Sequence, residues 1–175
     1  MASSPGTDPG MELVDIVDDH DQVVATVTRA EMRTRRLQHR AVSIAVLSSD
    51  ARLLVHRRAD TKDLWPGMWD LAAGGVVAAG ETYADAARRE LAEELGVEAG
   101  DVGDLGEGRF ADESVALIGH GYLTVHDGPF AFTDGEIAEA RFVTRTELDG
   151  LMATARFVPD NVTLLLPLLD GRLRD

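Results

Sequence analysis

The sequence predicts an α/β sandwich: a central mixed sheet between helical layers, opened by an N-terminal β-hairpin. Three observations predict it. Short β-prone runs recur along the whole chain. One long amphipathic repeat, Ala84, Ala87, Leu91 and Leu95, stands among them. Strands separated by helices, with a single long helix between them, indicate an α/β sandwich around a mixed sheet.

Taken in order, residues 13–18 and 23–28 are short strands split by Asp19-His20-Asp21-Gln22, a hairpin at the domain's edge. Residues 31–38 are charged, a loop or a short helix. Residues 41–47 form a nearly continuous apolar run, the mark of a central strand buried on both faces. Residues 48–51 turn the chain into a second strand, 52–56. Residues 57–68, with Pro66-Gly67, read as an ordered loop, and 69–73 and 76–78 as brief strands around Gly74-Gly75. The long helix starts after Gly80, where Thr82 and Asp85 make a capping pair, and Gly96 stops it. Further strands are expected at 106–111, 115–125 and 138–143. Thr144 and Glu147 cap a short helix, and Asp160 caps a last one through 164–169, kinked or ended by Pro167.

A chain of 175 residues, 45% hydrophobic, is long enough for one domain with a real core. Residues 1–10 read as a loose tail and 11–175 as that domain, without internal repeats. The 31 acidic residues against 17 basic ones give a formal charge of −14, a field that repels a nucleic-acid backbone. The absence of cysteine excludes disulfides, zinc-thiolate sites and thiol nucleophiles. No window approaches the roughly 20 apolar residues of a membrane span. The tail lacks an apolar secretory core, so a cytoplasmic location is expected, with no membrane partner. The hairpin is the natural surface for a homodimer, should one form.

Residues 75–97 carry the chemistry. A glycine-rich turn leads into a helix bearing Glu81 at its entrance and Glu90, Glu93 and Glu94 along it. A helix advances about 100° per residue, so Glu90 and Glu94 lie about 40° apart on one face, with Glu93 on the more exposed side. Two carboxylates one turn apart repel, costing roughly 0.2–0.5 kcal/mol when exposed. A bound Mg²⁺ or Mn²⁺ reverses that penalty, because hard cations take carboxylate oxygens together with substrate phosphate. In so acidic a chain, a solvated acidic face is the plain alternative.

Residues 75–97 resemble the Nudix box, Gly-x5-Glu-x7-Arg-Glu-U-x-Glu-Glu-x-Gly-U with U aliphatic, at every specified position. The resemblance implies an α/β/α sandwich and metal-dependent hydrolysis of a small diphosphate-containing molecule, such as a nucleoside diphosphate linked to another group. It implies that Glu90 and Glu94 ligate the metal, while Glu93 shares the metals or orients water. By the same resemblance Arg89 pairs with a box carboxylate, Glu81 supports the site, and Gly75, Gly80 and Gly96 permit its tight backbone path. The general base in this family is a box glutamate or one from a later loop. Glu113, Asp134, Glu136 and Glu139 are available here, with Glu136 and Glu139 ahead.

The blocks 38–43, 53–58 and 62–70 are similar to the branch containing isopentenyl-diphosphate isomerase. That enzyme needs a cysteine followed by Gly-His before the box. Gly74 stands at the cysteine's position and Val76 at the histidine's, so the blocks read as ancestry and shape. Arg57, Arg58 and Lys62 remain candidates for diphosphate contact, against ordinary surface charge. His39 either enters the cavity or is structural, and Trp65 or Trp69 lines a pocket or packs the loop. Hydrolysis is the expected activity; isomerisation and diphosphate binding without turnover are the alternatives.

Overall fold

A computed structural model describes residues 8–98, 100–133 and 135–175. The hairpin strands β1 (Leu13–Val17) and β2 (Val23–Thr28) pair antiparallel. Asp18 holds their turn by accepting the amides of His20 (2.8 Å) and Gln22 (3.0 Å). Strand β1 buries Val14 and Ile16, whereas β2 leaves Val23 and Val24 exposed. Helix α1 (Arg29–Arg35) follows directly, its first turn closed by the Thr28 hydroxyl accepting from the Glu31 amide. The open choice between loop and helix for this segment is thus settled as helix, and Met32 seats it against Val14, Ile16 and Val76.

Strand β3 (His39–Leu47) then runs parallel to β8 (Ala116–Val125) along its whole length and antiparallel to β6 (Ala73–Val76) on its other side. Strand β7 (Gly103–Ala111) continues the sheet beyond β8. A turn at Leu47 and Leu53 passes the chain to β4 (Leu53–Arg58), flanked by β5 (Trp69–Asp70) and β9 (Ile137–Val143). The result is one mixed sheet of nine strands among the described residues.

Alternate residues of β3 serve opposite cores, as strand geometry requires. Val42, Ile44 and Val46 pack with Ala87, Leu91 and Leu95 of α2 (Tyr83–Leu95). Ala45 and Leu47 pack with Leu148 of α3 (Arg145–Met152) and with Leu165 and Leu169, which follow α4 (Pro159–Leu164). Burying each large aliphatic side chain is worth about 1.5–3 kcal/mol. That packing, rather than helix propensity, sustains helices of 8 and 6 residues.

The structure moves several expected boundaries. Residues 73–76 are one strand with Gly74 and Gly75 inside it, because pairing with β3 runs unbroken from Ala41–Val76 to Ile44–Ala73. The strand expected at 76–78 therefore ends at Val76, and the one expected at 69–73 shortens to Trp69–Asp70. Arg57 and Arg58 belong to β4 rather than the loop, since β9 pairs with them. Asp160 does not cap the last helix: Val158 holds that position and Pro159 opens the first turn. The helix stops at Leu164, and Leu166–Leu169 continue as a 3-10 turn around Pro167. The Thr144–Glu147 capping box has both of its reciprocal bonds. Of the expected tail, residues 1–7 lie outside the described residues, and Pro9–Met11 form a 3-10 turn. No helix among the described residues is long and apolar enough to cross a membrane.

Candidate active site

Two glycines set the backbone of the loop-helix-loop. Gly80 (φ 76°) and Gly96 (φ 65°) occupy the left-handed region that side chains disfavour. The Gly80 amide donates to Asp15 (2.9 Å), and Gly96 closes the C-terminus of α2 on the Ala92 carbonyl (3.1 Å). Between them, Arg89 clamps the acids. Its Nε and Nη2 each donate to Glu81 at 2.9 Å, its Nη1 to Glu90 (2.7 Å) and Glu93 (3.2 Å), and its Nη2 also to the Val76 carbonyl (3.2 Å). A planar five-donor guanidinium suits this fork, and a lysine does not. The bonds to Glu81 above all raise the pKa of Arg89. Burial opposes ionisation of Glu81, but Arg89 and the Ala78 amide outweigh it and lower that carboxyl's pKa.

Glu90 and Glu94 lie on the inner face of α2, only 8% and 5% exposed, while the Glu93 side chain is 57% exposed. The Glu90 carboxylate rests against Gly75, where a Cβ would stand 2.3 Å from Oε1. Glu94 accepts the Gly74 amide at 3.2 Å. Gly74 is itself confined from another side, since a Cβ there would stand 2.1 Å from the Val42 carbonyl oxygen. Burial raises the pKa of both carboxyls. Arg89 draws Glu90 part of the way back, whereas the charge of Glu90 pushes Glu94 up further and Lys62 opposes that push.

Gly74 and Gly75 join this acidic pair to a cavity of about 780 Å³, which reaches from β6 to α1 and α4. Lys62, Trp65, His39, Arg58 and Glu136 line it, so most of the expected binding residues converge. Lys62 pairs with Glu136 across the cavity wall. Arg58 donates to the Leu64 carbonyl through Nε (3.2 Å) and Nη2 (3.1 Å), and its Nη1 lies 3.7 Å from Asp70. His39 is buried, bonds the Leu37 carbonyl through Nδ1 (2.9 Å), and has its pKa lowered by burial to about 4.

Other candidates fall elsewhere. Arg57 alternates to the outer side of β4, where it pairs with Glu139 (3.1 Å) and Asp60 (3.4 Å), and neither Arg57 nor Glu139 lines the cavity. Glu113 is exposed in the turn after β7. Trp69 is buried, with the Arg141 guanidinium 5.1 Å from its ring. Asp134 lies outside the described residues.

Sequence reasoning passed over the far wall of the cavity. Buried Asp70 accepts from Asn161 Nδ2 (2.7 Å) and from the Leu71 amide (2.7 Å), and Asp160 lies beside them. Burial and then the Asp70 charge push the Asp160 carboxyl up to about 7. Arg33 of α1 lines the same cavity. The usable signal was Asp70, an acid flanked by Trp69 and Leu71 in a segment read as strand.

A family model described as NUDIX domain matches residues 37–165. The Nudix hydrolase YfcD of Escherichia coli K12 is 40% identical over 157 residues, covering 88% of this chain and 84% of the relative. A Nudix hydrolase of Pseudomonas aeruginosa is 40% identical over 163 residues, 91% of this chain and 95% of the relative. The crystal structure of DR0079 from Deinococcus radiodurans aligns with a TM-score of 0.69 at 28% identity, covering 87% of this chain and 96% of that one. The NUDIX domain of Shewanella oneidensis NrtR, solved with ADP ribose, shares the fold at a TM-score of 0.63 and 14% identity, over 83% of this chain and 99% of that one. These matches do not single out the isomerase-like branch. With the box intact on α2 and the family's length covered on both sides of it, the chain belongs to the Nudix family.

Proposed function

We propose that this protein is a divalent-metal-dependent hydrolase that cleaves a diphosphate in a small molecule by attack of water on phosphorus. The carrying observation is the Glu90–Glu94 pair, two carboxylates held one helical turn apart and out of water beside a large cavity. Family membership supports hydrolysis of a diphosphate-containing compound.

The residues fit Mg²⁺ or Mn²⁺. Their donors are all oxygen, and burial has raised the cost of ionising both acids together, a cost that a hard cation reverses. Among the described residues no three His, Cys, Asp or Glu side chains are grouped as a ready metal cage. Mg²⁺ is commonly held by one or two carboxylates and completed by water and substrate phosphate. Bound there, the ion would neutralise phosphate charge and acidify water.

Glu90 and Glu94 hold the ion in this reading, and Glu93 shares it or orients water. Arg89, itself held by Glu81, locks the Glu90 and Glu93 carboxylates in place, and the Gly74 amide holds Glu94, which preserves geometry at the reacting centre. Lys62 contacts the diphosphate. Glu136, paired with Lys62 and facing Glu94, accepts the proton of the attacking water. Glu139 is set aside because it pairs with Arg57 away from the cavity. Arg58 shapes the loop at Leu64, while His39 and Trp65 face the rest of the substrate. Isomerisation finds no support: the chain has no thiol, and Gly74 has no room for a side chain.

The test measures release of phosphate or a monophosphate with Mg²⁺ and Mn²⁺ across nucleotide sugars, dinucleotides, nucleoside triphosphates, coenzyme A and prenyl diphosphates. Glu90→Gln and Glu94→Gln are each expected to lower kcat about a hundred-fold or more. Full activity in both variants would sink the mechanism. Saturable diphosphate binding without turnover would make the protein a binding domain.

A further inference from the structure

The cavity holds a cation that is left uncompensated. Arg29 is tied to Glu12 (3.0 Å), Arg58 to the Leu64 carbonyl and Asp70, and Lys62 to Glu136. Arg33 also lines the cavity, yet among the described residues its guanidinium makes no ion pair and no hydrogen bond. Burial lowers its pKa to about 10, helped by the like charges of Arg29 and Arg58. It stays cationic at neutral pH all the same. Asp63 and Asp160 attract it only from beyond ion-pair distance.

A part-buried charge of this kind is costly without a partner. Two of its neighbours, the Arg29 and Arg58 guanidinium groups, deepen the cost, and the Asp63 and Asp160 carboxylates offset it only from a distance. The chain carries 31 acidic residues and could readily have supplied a carboxylate. Guanidinium forks match phosphate and carboxylate oxygens in bidentate geometry. Position adds direction. Arg29 acts on Glu90, at the box end of the cavity, whereas Arg33 stands one turn further along α1. One turn is about 5.4 Å. Both arginines act on His39, and Arg33 answers in addition to Arg58, Asp63 and Asp160, towards the far wall.

We infer that Arg33 anchors an oxyanion subsite in this cavity, one that takes a phosphate or carboxylate group of the substrate separate from the phosphorus cleaved at the box. The ligand class narrows accordingly to diphosphate compounds with a further anionic group on the portion lying along α1. This inference rests on the cavity being the substrate site, but its test requires neither metal nor turnover, so failure of hydrolysis and failure of the subsite are read separately.

The probes are inorganic phosphate and acetate, titrated into the full chain with a chelator present. Emission from Trp65, which lines the same cavity, provides the signal. Wild type is expected to bind at least one probe saturably, and Arg33→Gln to weaken that binding about ten-fold or more. Arg35→Gln is the control: it removes the same charge from the same helix, at an exposed side chain paired with Glu31, and is expected to bind as wild type does. Tighter binding of phosphate assigns a phosphoryl group to the subsite, and tighter binding of acetate a carboxylate. Should Arg33→Gln fail to fold, Arg33→Lys carries the test, because it keeps the charge and loses the fork; weakened binding is expected. The inference is overturned if wild type binds neither probe, if the Arg33 variant binds as wild type does, or if Arg35→Gln loses as much.

Discussion

The two walls of the cavity are built in opposite ways. The box wall takes Glu81, Arg89, Glu90, Glu93 and Glu94 from one stretch of chain, wires three of the carboxylates to a single guanidinium and rests the fourth, Glu94, on the Gly74 amide of β6. The far wall takes Arg58, Asp70, Asp160 and Asn161 from three separate elements, and its central bond joins residues 91 positions apart. Both walls bury acids and raise carboxyl pKa values. The difference lies in what holds them. A loop, one helix and the adjoining end of β6 preorganise the box, so a change at a box side chain should spare the fold, whereas the far wall exists only where β4, β5 and α4 meet and should fail together with the fold.

Adjacent glycines offer the sharpest way to break that contrast. In Gly75→Ala the new methyl meets the end of the Glu90 side chain, which can swing aside with little cost to the fold. The carboxylate is then misplaced, and activity is expected to fall about a hundred-fold, with thermal stability nearly unchanged. In Gly74→Ala the methyl meets the Val42 carbonyl oxygen, a backbone atom of the central strand that cannot swing. Strain of that kind costs about 1–3 kcal/mol, and the melting temperature should drop. Paired activity and melting measurements read the two effects. Equal destabilisation by both substitutions would mean that the box wall is fold-bearing too.

Asp70→Ala attacks the other wall. It strips the acceptor from Asn161 and the Leu71 amide and leaves the half-buried Arg58 without its nearest carboxylate. Buried groups deprived of partners cost about 1–3 kcal/mol, so urea unfolding should show a loss of about 2–3 kcal/mol. A loss below about 0.5 kcal/mol, the range of ordinary surface substitutions, would show that the far wall contributes little to the fold.

The same difference explains what could be read before the structure. Glu90, Glu94, Gly80 and Gly96 were legible because helical spacing and left-handed turns are properties of neighbouring residues. The capping pairs at Thr82 and Thr144 were legible for the same reason. The mixed sheet followed from the alternation of strands with helices. Register was not legible. Whether Glu136 or Glu139 enters the cavity depends on Glu139 pairing opposite Arg57, and a shift of one residue would reverse the side chains' faces. Asp160 fitted the pattern of a helix cap, yet Pro159 was free to open the turn and left Asp160 facing the cavity. Arg33 sat in a charged segment where solvent exposure was the natural assumption, and only the tertiary position of α1 turns it inward.

The smallest expected effect belongs to His39, whose strand runs between the two walls. Its pKa is lowered from 6.5 to about 4, chiefly by burial, with Arg33 and Arg29 adding to the shift and the Leu37 carbonyl opposing it. The folded state therefore binds fewer protons than the unfolded state between these values. The contribution of His39 is intact above pH 6.5, declines as pH falls through the window, and levels off below about 4. From pH 7 to pH 5 this amounts to about 2 kcal/mol. In His39→Gln that titration is absent, so the variant should lose about 2 kcal/mol less stability than wild type over the same interval. The comparison cancels the other buried groups. His56 shifts in the same direction as His39, and Glu90, Glu94 and Asp160 shift oppositely, but all are present in both proteins. Parallel stability curves for the two proteins would show that His39 is not held neutral, and that water reaches β3 between the walls.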